Sequence, residues 1–481
     1  MMDVLSVTSE LYPLVKTGGL ADVAGALPGA LAGHDIAMRT LVPGYPQVVA
    51  AIKRGRTVAS LEDLFGGPAK LVAARVAGLD LIVLDAPHLF DRAGGIYVDQ
   101  AGQDWADNWQ RFAALSWVAA ELAKGLVPGY RPALIHAHDW QAAMVAAYVA
   151  FGGDTRTKVV VTIHNIAFQG QFGADIFPHL RLPPAAFAMT GVEYYGGVGF
   201  LKGGLRCAHA ITTVSPTYAR EIRSAAFGMG LEGLLNERGH DLYGILNGID
   251  VAAWNPQTDP ELAANYAAAN TRKREINRAA LAEKFGLDED GGPLLGLVSR
   301  LTWQKGIDIV AENVDWLVSL GGQLAVLGSG DIALETAMAD AAARHPGRVG
   351  FVQGYDESLS HLVQGGADVI LVPSRFEPCG LTQLYGLRYG AVPLVSRVGG
   401  LADTVIDANT AAVEAGVATG IQFSPVDGPA LGEAMARAIS LYQRPEVWAR
   451  MQRKGMKTDV SWSASAGKYA GLYRELLGGV E

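Results

Sequence analysis

A pair of doubly wound α/β domains is the fold this sequence predicts. Three observations carry that reading. Short, near-continuous apolar runs alternate with helix-like stretches, as in a parallel sheet covered on both faces. Each half of the chain shows the alternation separately. There are 59 glycines in 481 residues, and they gather just after the apolar runs without any period. An average protein has ~7% glycine; the excess here suits tight strand-to-helix turns or close backbone approach to a ligand.

In the N-terminal half the strand candidates are DVLSVTSE (3–10), IAMRTLVPG (36–44), LDLIVLDAP (79–87), ALIHAHD (133–139), KVVVTIHN (158–165) and HAITTVSP (209–216). LADVAGALPGALAG (20–33) and WADNWQRFAALSWVAAELAKGL (105–126) are helix-like, and the uncharged stretch Trp140–Gly153 reads as a buried helix. The C-terminal half offers PLLGLVS (293–299), QLAVLG (323–328), RVGFVQG (348–354), DVILVPS (368–374) and VPLVS (392–396), with helix-like stretches at 307–320 and 332–345. The loop DEDGGP (288–293) precedes the first of these strands and brackets the boundary between 245 and 293. The segment 461–479 has a Ser start, helical periodicity and a Gly-Gly stop. The expected organisation is therefore 1–246, 247–457 and a final helix within 458–481. Two Rossmann-like halves leave a cleft where strand C-termini face each other, and ligands bind at such ends.

Composition narrows the function. Lys and Arg number 39 against 48 Asp and Glu, a net charge of −9. That balance argues against nucleic acid as a partner, which would want a basic stripe. Half the residues are hydrophobic, enough for a sizeable core and unlike a disordered chain. Two cysteines, Cys207 and Cys379, make no disulfide framework and point to a reducing compartment. The opening MMDVLSVTSE, with an acid at position 3, is unlike a signal peptide. No apolar run has the roughly 20 residues a membrane span needs. A cytoplasmic protein with no membrane partner is expected; the oligomeric state is not legible.

Several loops carry chemistry. The first strand runs into KTGGLADV (16–23). Gly18 and Gly19 allow close backbone approach, the helix start behind them offers N–H groups and a positive dipole end, and Lys16 adds a mobile cation. A phosphate suits this loop, although it is no Walker A; a plain glycine turn beside a surface lysine is the alternative. SRLTWQKG (299–306) places Arg300 and Lys305 after a strand and before a helix, as a diphosphate clamp would. QLAVLGSGDIA (323–333) contains G-x-G-x-x-A. Its ribose-binding acid should close the next strand, about 20 residues on, where Gln353, Gly354 and Tyr355 precede Asp356. A nicotinamide cofactor therefore fits poorly, and a loop beside a nucleotide sugar fits equally well. In SRFEPCGLTQLYGLRYG (374–390), Glu377 is an acid at a sheet edge, suited to sugar hydroxyls. The helix start at Leu381 and Thr382 can receive a phosphate. Cys379 reads as a small buried residue.

HAHDW (136–140) and TIHN (162–165) end two strands. His136 and His138 share a strand face. A binuclear metal site would want H-x-H-x-D-H, and Trp140 and Gln141 occupy that tail. Hydrogen bonding within a loop is the bland reading; Asp139 or His164 reaching a substrate hydroxyl is the sharper one. G-x-S-x-G, H-E-x-x-H and C-x-x-C are all absent. One D-x-D occurs, Asp288-Glu289-Asp290, in the interdomain loop rather than at a strand end, and reads as a solvated turn. No metal is expected, and Lys16, Arg300 and Lys305 would neutralise a diphosphate.

KTGGLADV, HAHDW, TIHN, TTVSPTYA, ILNGID, SRLTWQKG, the VLGSGD loop and EPCGLTQL follow in this order. Together they resemble the bacterial glycogen synthase and plant starch synthase family, from about residue 3 to beyond 460. The resemblance implies the GT-B fold, two Rossmann-like domains facing across a deep cleft, with a final helix crossing back to the N-terminal domain. It implies transfer of glucose from ADP-glucose to the non-reducing end of an α-1,4-glucan, glycogen or a maltooligosaccharide. Retention at the anomeric carbon and no metal or cofactor are implied too. Carried onto this chain, the family's donor-contacting lysine is Lys16, with Gly18 and Gly19 beside it. Asp22 lies near a sugar, and Asp139 and His164 face the glucose. Asn247 is the hinge asparagine, Arg300 and Lys305 the diphosphate pair, and Glu377 the glucose-contacting carboxylate. Cys379, Gly380 and Leu381 meet the distal phosphate, and Tyr355 stacks on adenine. The catalytic set so implied is His164, Glu377, Arg300, Lys305 and Asp139. Front-face attack and a covalent intermediate on Glu377 or Asp139 both remain open, as do UDP-glucose as donor and a silent glucan-binding protein.

Overall fold

A computed structural model of the protein describes residues 1–153, 156–289 and 292–478. Asp290 of the D-x-D and Gly479 of the expected final stop lie outside them. The chain divides into two compact units, Met1–Gly248 with the chain from Trp462 onward, and Ile249–Ser461.

The first unit's strands, in chain order, are β1 (Met2–Val7), β2 (Ile36–Pro43), β3 (Arg56–Leu61), β4 (Ala69–Val76), β5 (Leu79–Asp85), β6 (Leu134–His138) and β7 (Lys158–Ile163). Then come β8 (Gln171–Phe172), β9 (Glu193–Tyr194), β10 (Gly197–Gly199), β11 (Ala210–Thr213) and β12 (Leu242–Gly244). Among the described residues nine of them form one sheet in the order β12-β11-β7-β6-β1-β2-β5-β4-β3, while β8, β10 and β9 make a small separate one. β1 pairs in parallel with β2 on one side and β6 on the other. The chain thus leaves β1 and β6 in opposite directions, and a crevice opens above their C-terminal ends. Helix Asp139–Phe151 follows β6 and is buried from Asp139 to Val149, in line with its uncharged sequence. Helix Trp462–Leu476 packs Ala466, Tyr469, Ala470 and Tyr473 against Val4, Leu134 and Val160 of the sheet and Val23, Leu27 and Leu31 of helix Gly19–Ala32.

The second unit carries β13 (Leu294–Val298), β14 (Gln323–Gly328), β15 (Val349–Gln353), β16 (Val369–Val372), β17 (Val392–Ser396) and β18 (Ile421–Phe423). Among the described residues these form one sheet in the order β15-β14-β13-β16-β17-β18, parallel throughout. This is the dinucleotide-fold order, with its switch point between β13 and β16. Alternate residues feed opposite layers. Leu295, Leu297, Leu324 and Val326 join helices Ile307–Ser319 and Gly428–Tyr442 on one face. Leu294, Ala325 and Leu327 join helices Arg274–Phe285 and Glu357–Gly366 on the other.

Two differences from the sequence reading stand out. The antiparallel edge β3–β4, with its irregularity between Thr57 and Ala59, was not expected: β3 is largely exposed and has no apolar run to mark it. Several strands also end earlier than their apolar runs. β1 leaves the sheet after Val7, β6 after His138 and β7 after Ile163. Thr8 still donates its N–H to Leu41 of β2; Glu10, Asp139 and His164 beyond the strands bond to one another or to nearby loops.

Candidate active site

Above β1 the chain turns through Thr8, Ser9 and Glu10, all buried, into the Lys16–Gly19 loop and helix Gly19–Ala32. Glu10 Oε2 accepts the N–H groups of Thr17 (2.5 Å) and Gly18 (3.0 Å). Oε1 accepts Thr17 Oγ1 (2.5 Å) and the Tyr97 hydroxyl (2.7 Å). Two N–H groups that would otherwise await a phosphate are thus already engaged. Those of the helix's first turn, from Gly19 on, follow them. Lys16 Nζ pairs with Asp22 Oδ1 at 2.8 Å on the partly exposed rim. A Cβ at Gly18 or Gly19 would meet nothing within 4 Å, so neither glycine is demanded by a protein neighbour, and the space beside them is open.

Asp139 opens its helix at φ +55°, a strained value for a non-glycine residue. Its Oδ1 accepts the His164 N–H at 2.7 Å. Burial pushes the Asp139 carboxyl up to about 7, against the pull of the His164 and Asn165 N–H groups and with a smaller push from Glu10. His138 Nδ1 lies 3.0 Å from His164 Nε2. Burial takes the His138 pKa down to about 3 and holds His164 and His136 well below the usual range, with neighbouring imidazoles adding to the effect. These rings are neutral. His138 Nε2 is buried with no hydrogen-bond partner among the described residues. An orphaned buried N–H is rarer than an orphaned acceptor, which assigns the His138 proton to Nδ1 as donor to His164 Nε2. His164 then carries its own proton on Nδ1 and is a hydrogen-bond donor rather than a base. His136, fully buried, bonds Thr162 Oγ1 (2.5 Å) and the Tyr473 hydroxyl (2.7 Å), a structural role. Asn247 has a buried Oδ1 without a partner among the described residues.

In the second unit the switch point brings two loops together. Arg300 is exposed just past β13. Lys305 ends the turn Trp303–Lys305 and donates to Glu377 Oε2 at 2.5 Å, with side chains 19% and 11% exposed. Ser374 Oγ donates to the same oxygen at 2.8 Å. Gly399 sits at φ +42°, where a Cβ would lie 1.9 Å from the Glu377 carbonyl oxygen; the Gly400 N–H donates to that oxygen at 3.1 Å. Cys379 is buried and unbridged. Gln383 Nε2 donates to the carbonyls of Cys379 (3.0 Å) and Gly380 (2.9 Å), locking the turn that leads through Leu381 into helix Thr382–Tyr389. That helix start has no side-chain cap, leaving its first N–H groups for an anion. Tyr355, 73% exposed, lies just beyond β15.

The glycines of the 328–330 loop serve packing. A Cβ at Gly328 would lie 2.0 Å from the Ser299 carbonyl oxygen, and one at Gly330 2.3 Å from that of Leu301. They let the β14 exit lie against the segment bearing Arg300. Asp288 is exposed. Among the described residues no group of three or more His, Cys, Asp and Glu is arranged to hold a metal ion, and no helix is long and apolar enough to cross a membrane.

The sequence reading missed Glu10, Thr17, Tyr97, Ser374 and the Gly399–Gly400 turn as parts of these sites. Glu10 had one legible signal, an acid closing a strand-like run.

A family model described as starch synthase catalytic domain matches residues 3–237, and one for glycosyl transferases group 1 matches 279–455. A glycogen synthase from Mesorhizobium japonicum is 60% identical over 476 residues, covering 99% of both chains. One from Novosphingobium aromaticivorans is 60% identical over 477, covering 98% of both. Among solved structures, the catalytic domain of starch synthase IV from Arabidopsis thaliana, bound to ADP and acarbose, matches with a TM-score of 0.86 at 32% identity and 99% coverage of both chains. A sucrose-phosphate synthase from Thermosynechococcus elongatus shares the fold, with a TM-score of 0.61 at 18% identity.

Proposed function

The chain belongs to the glycogen synthase and starch synthase family, glycosyltransferases of the GT-B fold, and on that premise we propose that it transfers glucose from ADP-glucose to the non-reducing end of an α-1,4-glucan with retention and without a metal. The observation that carries the reading is the Lys305–Glu377 pair at the switch point of a dinucleotide-type sheet. It sets a cation for a leaving diphosphate beside a carboxylate for a sugar, next to an uncapped helix start.

The unit of Ile249–Ser461 takes the donor. Lys305 and Arg300 stabilise the charge that grows on ADP as the C1–O bond breaks, which is where preorganised electrostatics contribute most. The N–H groups from Leu381 on receive the distal phosphate, and Tyr355 offers a face to the adenine. Glu377 spends Oε2 on Lys305 and Ser374 and turns Oε1 to the glucose, opposing the positive charge at C1.

The unit of Met1–Gly248 contributes further groups suited to phosphate and sugar. Lys16 adds a cation at the donor. Asp139 uses one oxygen on the His164 turn and lends the other to a hydroxyl. His164, neutral, donates from Nδ1. Asp22 steadies Lys16 through their ion pair, and Asn247, whose Oδ1 has no partner among the described residues, is assigned to a sugar hydroxyl by the family resemblance. The acceptor hydroxyl forms the new bond to C1, and its proton passes to the departing phosphate oxygen, so no enzyme nucleophile is consumed.

The test is purified protein with glycogen and either ADP- or UDP-glucose, in EDTA. The expected outcome is α-1,4 elongation and stoichiometric ADP release, undiminished by EDTA. Donor hydrolysis without elongation would refute the transferase reading; loss in EDTA with recovery in magnesium would refute the metal-free one.

A further inference from the structure

We propose that Glu10 is a positioning residue for the donor loop, holding Lys16 and the Gly18–Gly19 turn from beneath. The inference rests on the donor role given above to Lys16.

A buried carboxylate is costly unless its oxygens are satisfied. Glu10 is 3% exposed, and among the described residues it has no basic partner. Four donors satisfy it instead. Three belong to two successive residues, the N–H and hydroxyl of Thr17 and the N–H of Gly18. The fourth is the Tyr97 hydroxyl, itself 2.7 Å from Ser9 Oγ. Because Tyr97 donates to Glu10, Ser9 donates to Tyr97. Thr8 steadies the other end, its Oγ1 donating to the Glu10 carbonyl at 2.7 Å.

The outer side of the loop is bare, since nothing lies within 4 Å of a Cβ at Gly18 or Gly19. The Leu11–Val15 bridge closes the loop's beginning; past it, the carboxylate braces the residues between Lys16 and the helix. It does so with charge-assisted bonds, stronger than neutral ones. It also fills two N–H groups next to a helix start, a natural anion site. A diphosphate is then denied that inner position and is left to Lys16 and the N–H groups from Gly19 on.

The variants separate shape from charge. Glu10→Ala removes all four contacts. In Glu10→Gln the amide oxygen can keep both N–H groups while the hydroxyls of Thr17 and Tyr97 turn to accept from the amide nitrogen, so shape survives and charge is lost. Thr17→Val deletes one donor at constant volume. Initial rates are measured over ADP-glucose and glycogen separately, for each variant alone and combined with Lys16→Ala.

We expect Glu10→Ala to lower kcat/KM for the donor by about 10²-fold, as small misplacements of reacting groups do, with the glycogen KM within about twofold of wild type. Glu10→Gln and Thr17→Val should fall between. In the double variant the losses should not multiply, because residues acting through one loop are coupled. If Glu10→Ala fails to fold, the Gln and Val variants carry the same cycle. Losses that multiply with Lys16→Ala, or a change confined to the glycogen KM, overturn the inference. A Lys16→Ala variant with wild-type donor kinetics would instead overturn the donor reading of the loop, a distinguishable failure.

Discussion

Replacing Glu377 by glutamine should move two observables in opposite directions. In the free protein Glu377 Oε2 holds Lys305 at 2.5 Å and Ser374 at 2.8 Å, in a setting where both charged side chains are less than one-fifth exposed. A hydrogen bond between charged groups contributes about 1.5–3 kcal/mol. Lys305 must therefore divide its attraction between Glu377 and an arriving diphosphate. The amide keeps the shape and can still accept from Lys305 and Ser374 through its oxygen, but it no longer neutralises the ammonium. Releasing roughly half of that interaction to the ligand is worth about 0.75–1.5 kcal/mol, or a roughly 3- to 12-fold tighter Kd for ADP. Turnover should fall by about 10²–10³, ~3–4 kcal/mol, because the amide nitrogen replaces an acceptor at the sugar and the charge opposing the cation-like C1 is gone. Calorimetric titration with ADP gives the first quantity, and single-turnover quench at saturating donor and glucan gives the second. An ADP Kd that rises in step with the lost rate would mean that Glu377 organises the phosphate loop, and the division of labour argued here would be wrong.

Three further outcomes are expected. Arg300→Ala and Lys305→Ala should each reduce kcat by about 10²–10³ with little change in glycogen KM; steady-state kinetics in both substrates decide, and wild-type turnover with a raised glycogen KM would move these residues to the acceptor. Asp139→Asn should alter the pH dependence of stability. Asp139 is raised from its ordinary 3.8 to about 7 on folding, so the folded state binds the extra proton, its contribution is fully present below about pH 4 and is lost as pH rises through 7. Thermal melts should show the variant gaining on wild type from pH 5 to pH 8, and a constant gap across that range would contradict the buried carboxyl. Gly399→Ala puts a methyl 1.9 Å from the Glu377 carbonyl at φ +42°, so kcat should fall by at least about tenfold while the circular dichroism spectrum is kept; unaltered kinetics would show that the 377–380 turn tolerates displacement.

What was legible in the sequence follows from which forces act locally. The second unit's strands are buried on both faces, so their apolar runs are continuous, and Lys305 and Glu377 fall in loops at strand ends, where ligands bind in such sheets. β3 gave no comparable sign because an exposed edge strand has no one-sided pattern to reveal. The residues just past β1, β6 and β7 were read as strand because they continue the runs without a break; only the tertiary fold shows that Glu10, Asp139 and His164 lie beyond the ladder and bond to loops or to one another. The 328–330 glycines pointed to a ligand in sequence, whereas the crowding carbonyls belong to Ser299 and Leu301. Glu10 escaped notice because its partners at 17, 18 and 97 converge only in space.

The helix Trp462–Leu476 has a consequence for biosynthesis. The first unit is closed by two stretches of chain with the whole second unit translated between them. As the ribosome delivers the polypeptide, Val4, Leu27, Leu134 and Val160 are made early, yet their covering residues Ala466, Tyr469 and Tyr473 arrive only after Ser461. The second unit is continuous and can complete its core as soon as it emerges, while the first waits with an apolar face open, a state in which nascent chains are prone to aggregate. Ribosome stalling anywhere in the second unit therefore exposes the N-terminal sheet, and a chaperone that shields nascent apolar surface should associate with this protein from the completion of β12 until helix Trp462–Leu476 is released.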